Sequence, residues 1–450
     1  MVVDGWLARA AASRPEHIAL DTPAGSWSYA RLHAAARSGA CELAAGGAGP
    51  GARVAIALPS GLHFAQALHA CLLLGAIAVP VDLRLAPEER ELIAAGSEVL
   101  VDRPLAKGSG RPSAWGRGGL LPAAVGRGHD LDAVAVVIHT SGTTSAPRPV
   151  ELTYGNLLWS ALGSAVALGL PREERWLCAL PLSHVGGLSI LLRSAIYSTT
   201  AVVHERFEAD RVLRSLQHEQ VTLVSLVATT LARLLDAGLS HPPSLRCALT
   251  GGGPVPAALV ARAQAAGVPV SLTYGLTESC SQVTTTPLAE TAAMNATAGP
   301  PLFCTRVQIG EDEEILVRGP TVAPSAPGPD GWLHTGDLGS LDAGGRLQVT
   351  GRKADTIVSG GENVAPAEVE AVLEAHPLVL EAAVRGRPDP EWGEAVVAIV
   401  VPRKGAELKA ADLRAHCASM LARFKVPKEF LITTEPLPRT RSGKLLRREL

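Results

Sequence analysis

Two kinds of apolar run alternate along the chain. Short, nearly continuous apolar stretches at Val54–Leu58, Ala76–Val81, Ala133–Ile138, Thr222–Leu226, Arg246–Leu249 and Val268–Thr273 read as buried strands. Leu62–Leu74, Thr229–Ala237 and Pro256–Ala266, which lie between them, read as helices. Strands alternating with helices predict crossover units and largely parallel sheets, an α/β fold. The most apolar stretch, His63–Val81, contains His63, Gln66, His69 and Pro80. A membrane span does not tolerate that set, so a buried helix followed by a strand is expected there.

Arg103–Asp130 is rich in Gly, Pro and Arg and lacks periodicity, as a surface connection does. Pro320–Gly331, with four prolines, is similar. After Gly351 the character changes. Glu368–Glu374 and Ala410–Leu421 are helical, the second as an amphipathic helix, and Leu380–Val384 and Ala395–Val401 are strand-like. The expected organisation is a large domain over residues 1–351, a hinge at 352–354 and a smaller α+β domain over 355–450. No internal repeat is present.

Composition narrows the classes. With 450 residues, 47% of them hydrophobic and 19% charged, the chain has enough apolar material for more than one core, which excludes disorder. A net charge of −2 removes the basic footprint that a nucleic-acid partner requires. The seven cysteines are scattered without CxxC or Cys/His metal spacing, and no signal peptide is evident, which together predict a reducing, cytoplasmic setting.

Four short motifs carry candidate chemistry. Thr140-Ser-Gly-Thr-Thr144 follows an apolar strand, and its hydroxyls and backbone N–H groups can converge on an anion; it is not a Walker loop, because GxxxxGK[ST] is missing. Tyr274-Gly-Leu-Thr-Glu278 places a carboxylate beyond a strand, where Mg²⁺ needs few protein ligands; a surface Glu capping the next helix is the alternative. His334-Thr-Gly-Asp337 offers an Asp able to accept ribose hydroxyls, or simply a turn Asp. Ser442-Gly-Lys444 lies in a basic stretch, Arg439 to Arg448, that reads otherwise as a solvated tail.

In order and spacing, these motifs resemble the acyl-adenylate-forming superfamily of acyl-CoA synthetases, luciferases and peptide-synthetase adenylation domains. The resemblance runs from Trp27-Ser-Tyr29 to Leu450. Gly251-Gly-Gly-Pro254 fits the family's adenine loop and Gly351-Arg-Lys-Ala-Asp355 its hinge. Within the superfamily, Trp176 to Arg193, Ser359-Gly-Gly-Glu-Asn363 and Lys444 to Leu450 are most similar to the o-succinylbenzoate–CoA ligases of menaquinone biosynthesis. Arg193 stands nine residues after His184, where that subfamily places a basic residue; a surface Arg on a helix is the alternative.

The resemblance implies ATP, Mg²⁺ and coenzyme A as the small molecules handled. Thr140, Ser141, Gly142, Thr143 and Thr144 would hold the β- and γ-phosphates, and Glu278 the Mg²⁺. Gly251, Gly252, Gly253, Tyr274 and Thr277 would surround the nucleotide, with Asp337 and Arg352 at the ribose. His184, Gly275 and Arg193 would line the acyl site, Arg193 facing a distal carboxylate. Lys444 would bridge carboxylate and α-phosphate, Ser359, Gly360 and Gly361 would line a pantetheine tunnel, and Ala354 would be the pivot of a mobile small domain. Two departures stand out. The family's phosphate loop continues Gly-x-Pro-Lys-Gly, whereas here it reads Ser145-Ala-Pro-Arg148-Pro149, a stiffer loop with a planar cation. The segment before His334 is shortened and lacks the usual Gly-Tyr. A ligase for another aryl or acyl acid, an adenylation domain serving a carrier protein and a catalytically silent nucleotide-binding homologue are the competing readings. The sequence leaves oligomeric state open.

Overall fold

The computed structural model describes residues 1–106, 128–140, 147–293, 297–359, 362–390, 392–439 and 445–450. Among these, the strands form five sheets. The largest runs in the order 284–285, 270–274, 247–250, 223–226, 175–178, 200–203, 18–22, 25–28, parallel throughout except at its two ends. A second sheet, 99–101, 53–56, 77–80, 134–140, 148–153, is parallel up to its last, antiparallel strand. The helix Leu62–Leu74 lies between two of these strands and forms over the residues its sequence predicts. It is apolar all round and almost wholly buried, Gln66 and His69 included, and it stops at Gly75, whose φ of +73° suits a left-handed cap. No described helix is long and apolar enough to cross a membrane.

The other predicted elements shift by only a few residues: Arg53–Ile56, Cys247–Thr250 and Val270–Tyr274 are strands, and Ala228–Asp236 and Ala257–Ala265 helices. Two elements were not foreseen in kind. Residues 306–352 form a wholly antiparallel four-stranded sheet, because turns and one longer loop rather than helices join its strands. The expected surface connection Arg103–Asp130 ends in a short strand, His129–Asp130, paired with Val2–Val3.

The antiparallel sheet ends at Arg352, a single 3-10 turn covers Lys353–Asp355, and the next sheet starts at Ile357. That last sheet combines the long hairpin Val379–Asp389 and Gly393–Pro402 with shorter strands at 357–359, 362–364 and 429–432. It has a core of its own, in which Val369, Leu373 and Val384 pack with Leu413 and Cys417. The helix Ala410–Met420 is less amphipathic than expected, burying only Leu413 and Cys417.

Candidate active site

Open parallel sheets bind ligands at the carboxyl ends of their strands, where loops meet helix starts. Gly251 and Tyr274 stand at the carboxyl ends of two neighbouring parallel strands, Cys247–Thr250 and Val270–Tyr274. A Cβ on Gly251 would lie 2.5 Å from the Thr273 carbonyl oxygen, and Gly252 has φ +78°, so this turn needs glycine at both positions.

Tyr274 reaches across to the antiparallel sheet. Its hydroxyl donates to Asp337 Oδ2 at 2.8 Å, and Arg352 Nε donates to Asp337 Oδ1 at 2.6 Å. Asp337 and Arg352 are register partners on adjacent strands, which is why a residue in the hinge motif meets one from His334–Asp337. Burial, then the Asp337 charge, push the Tyr274 phenol well above its usual range. Burial alone would depress Arg352, but Asp337 outweighs it and holds the guanidinium above its ordinary value. Each Asp337 oxygen keeps a lone pair, enough to accept two ribose hydroxyls. Thus Asp337 is no plain turn residue.

Glu314, which sequence reasoning missed, supports this corner. It is buried, accepts from Gly336 N–H at 2.9 Å, lies 3.3 Å from His334 Nδ1 and takes Lys353 Nζ at 3.5 Å, while Lys353 also pairs with Asp312. Its only signal in the sequence is its place as the last of the acidic residues 311–314, opening the apolar strand Glu314–Arg318. Ala354, next to Lys353, is exposed.

Thr140 and Arg148 face each other at the loop end of the hairpin formed by 134–140 and 148–153, and Thr140 Oγ1 donates to the Arg148 carbonyl at 3.4 Å. Ser141, Gly142, Thr143 and Thr144 lie outside the described residues, as do Gly360, Gly361 and Lys444. Ser359 is buried with a hydroxyl that finds no partner among the described residues. The tail beyond Lys444 is not the solvated one that its charge allows: Arg447 holds Glu370 through both terminal guanidinium nitrogens, at 2.8 Å from Nη2, and reaches Asp355 from Nε at 3.2 Å.

Glu278 is half-buried in a run of turns, with no helix following it for the side chain to cap. Cys280 N–H donates to the Thr277 carbonyl at 3.0 Å, and Ala323 N–H to that of Glu278 at 2.8 Å. Gly275 has no room for a side chain, since a Cβ there would fall 1.5 Å from the Ser281 carbonyl oxygen. The described residues hold no cluster of three metal-ligating side chains, but Mg²⁺ requires none: it keeps waters and binds one or two carboxylates plus phosphates, so a lone half-buried Glu fits it.

His184 precedes the helix Val185–Tyr197, which carries Arg193. Its Nε2 lies 3.1 Å from Arg84 Nη2 and 3.5 Å from Asp82 Oδ2. Asp82 and Arg84, a bidentate pair just beyond the strand Ile77–Pro80, were also missed. Burial would raise the Asp82 carboxyl, but hydrogen bonds from Arg84 and His184 hold it far below the usual range. Arg193 is not a surface residue. It is 2% exposed, with its guanidinium 5.5 Å over the Trp176 ring, Nη2 bonded to Ser160 Oγ at 3.1 Å and Nε without a partner among the described residues. Among the described residues no carboxylate pairs with it. Burial lowers its pKa, yet an arginine stays charged in a protein, so the site holds a desolvated positive charge.

The model of the AMP-binding enzyme family matches residues 7–325, and that of the AMP-binding enzyme C-terminal domain matches 368–444. The 2-succinylbenzoate–CoA ligase of Bacillus subtilis is 39% identical over 99% of this chain and 97% of its own length. Solved structures of the o-succinylbenzoate CoA synthetase of Bacillus subtilis superpose over the whole chain with a TM-score of 0.88 at 37% identity. One, in complex with the acyl-adenylate intermediate, is covered over 98% of its length, and another, with ATP and magnesium ion, over 100%. The chain belongs to the AMP-binding enzyme family.

Proposed function

We propose that the chain is a cytoplasmic ATP-dependent ligase that joins 2-succinylbenzoate to coenzyme A, with release of AMP and pyrophosphate, in menaquinone biosynthesis. The observation that carries the substrate is Arg193. A desolvated cation without a carboxylate of its own is costly unless an anion completes it. The acid has two carboxylates, of which one reacts and one remains to pair with Arg193. On this reading His184 and Gly275 line the acyl site, and the Asp82–Arg84 pair orients His184.

Adenylation brings a carboxylate against a phosphate, and preorganised positive charge must offset their repulsion. Asp337, fixed by Tyr274 and Arg352, holds the ribose, and Gly251–Gly253 leave space for the adenine. Thr140–Thr144 bind the β- and γ-phosphates. Glu278 would hold Mg²⁺, which supplies charge neutralisation on the phosphates. Lys444 neutralises the reacting carboxylate and the α-phosphate. The domain over 355–450 then turns about Ala354, carrying Lys444 away and bringing Ser359–Gly361 to the thiol of coenzyme A, which attacks the mixed anhydride and expels AMP. The single exposed turn Lys353–Asp355 between two sheets supports this pivot.

Pyrophosphate release over a panel of carboxylic acids, with coenzyme A and a carrier protein as acceptors, tests the proposal. Preference for 2-succinylbenzoate and coenzyme A is expected. Turnover of a monocarboxylic acid at equal efficiency would refute the substrate.

A further inference from the structure

Arg193 is tied to the turn that carries Glu278. Its Nη2 donates to Ser160 Oγ at 3.1 Å, and Ser160 donates its only proton to the Cys280 carbonyl at 2.6 Å. A guanidinium can only donate and a hydroxyl has one proton, so the direction of this chain of bonds is fixed. Arg193 and Ser160 are each 2% exposed and Cys280 is fully buried, so water does not compete for either bond.

The accepting end is strained. Cys280 and Ser281 hold φ at +54° and +95°, a region that residues with side chains seldom enter. Such a conformation persists only where neighbours over-determine it. Cys280 N–H to the Thr277 carbonyl and Ser281 N–H to the Leu276 carbonyl, each 3.0 Å, act within the turn. Ser160 reaches it from outside, from the helix Tyr154–Leu168. The Ser281 carbonyl packs against Gly275, where a Cβ would fall 1.5 Å from its oxygen. Glu278 is two residues from Cys280.

We propose that Ser160 is a positioning residue that couples acid recognition at Arg193 to nucleotide and metal binding at the Glu278 turn. The inference rests on the reading of Arg193 as the anchor of the distal carboxylate. An anion on Arg193 fixes the guanidinium against Ser160, and the hydroxyl in turn fixes the Cys280 carbonyl that holds the strained turn in place. Linkage makes the effect reciprocal: nucleotide with Mg²⁺ tightens the acid by the factor with which the acid tightens the nucleotide.

Binding calorimetry on the full chain tests this, titrating 2-succinylbenzoate with and without a non-hydrolysable ATP analogue and Mg²⁺. For the natural chain a tightening of at least about fivefold is expected. Ser160→Ala should bring that factor close to one. Ser160→Cys, which keeps the volume but offers a weak donor, should do the same if the alanine variant fails to fold. Full coupling in a folded Ser160 variant, or none in the natural chain, overturns the proposal. So does a variant that binds acid more weakly but keeps the coupling. Arg193→Gln separates the two readings. If it binds the diacid and its distal monoester as the natural chain does, the anchor itself fails; if it loses only the diacid while Ser160→Ala stays coupled, only the relay fails.

Discussion

The phenol of Tyr274 and the carboxylate of Asp337 are joined by a 2.8 Å hydrogen bond across 63 residues of sequence, linking the main parallel sheet to the antiparallel one. Asp337→Asn keeps the shape but removes the charge that pairs with Arg352. Its affinity for AMP should fall by about 10- to 100-fold, as for a charge-assisted bond. Tyr274→Phe removes one neutral donor and should cost only about fivefold. Titration calorimetry with AMP ranks them, and equal losses would mean that Tyr274 does more than orient the carboxylate.

Lys444→Ala should slow formation of the acyl-adenylate by roughly 10²–10³-fold, the loss typical of one charge-stabilising group. Chemically supplied acyl-adenylate should still react with coenzyme A at the natural rate. Single-turnover measurements of the two halves check this, and an unchanged first half places the charge on another residue.

Ala354→Pro fixes φ near −65° and restricts Lys353 before it. A pivot must absorb the whole rotation in a few bonds, so the variant should be confined to one arrangement. Pyrophosphate exchange should persist while thioester formation falls at least about tenfold. Equal loss of both in a folded protein, or loss of neither, moves the pivot elsewhere.

His129 gives a pH dependence unrelated to catalysis. It is buried, stacks on Tyr154 at 4.4 Å between centroids, and its Nε2 accepts the Trp6 backbone N–H at 3.2 Å. Burial pushes its pKa down to about 4 from an ordinary 6.5. Between those values the unfolded chain binds more protons than the folded one, so stability is whole above pH 6.5 and is lost as pH falls toward 4. The loss amounts to about 3 kcal/mol at most. Urea unfolding at several pH values should show this decline, and His129→Phe should flatten part of it while lowering stability near neutrality by about 1–3 kcal/mol through the orphaned Trp6 N–H. An unaltered slope would assign the acid sensitivity to His69, whose pKa is also lowered to about 4 by burial.

What was legible in the sequence follows from range. Leu62–Leu74 was readable to the residue because local pattern and a glycine stop agree. Tyr274, Asp337 and Arg352 were readable because each sits in a motif, although nothing local says that they touch. The antiparallel sheet was not, since one of its turns uses Glu313 at φ +64° where glycine would have announced it. Asp82, Arg84, Ser160 and Glu314 were invisible because their meaning lies in distant partners. Arg84 meets His184 across 100 positions, and Ser160 meets Arg193 across 33.

The absent side chain at Gly275 also bears on how such a protein can diverge. With the Ser281 carbonyl pressed against its Cα, that position admits no other residue unless the left-handed pair Cys280–Ser281 is rebuilt as well. On the proposed function, lineages that adopt a smaller or larger acid are thereby steered to remodel the helix Val185–Tyr197, where single substitutions leave the Cys280–Ser281 turn alone unless they touch Arg193. Selectivity can drift there one residue at a time, while Gly275 changes only through concerted replacements.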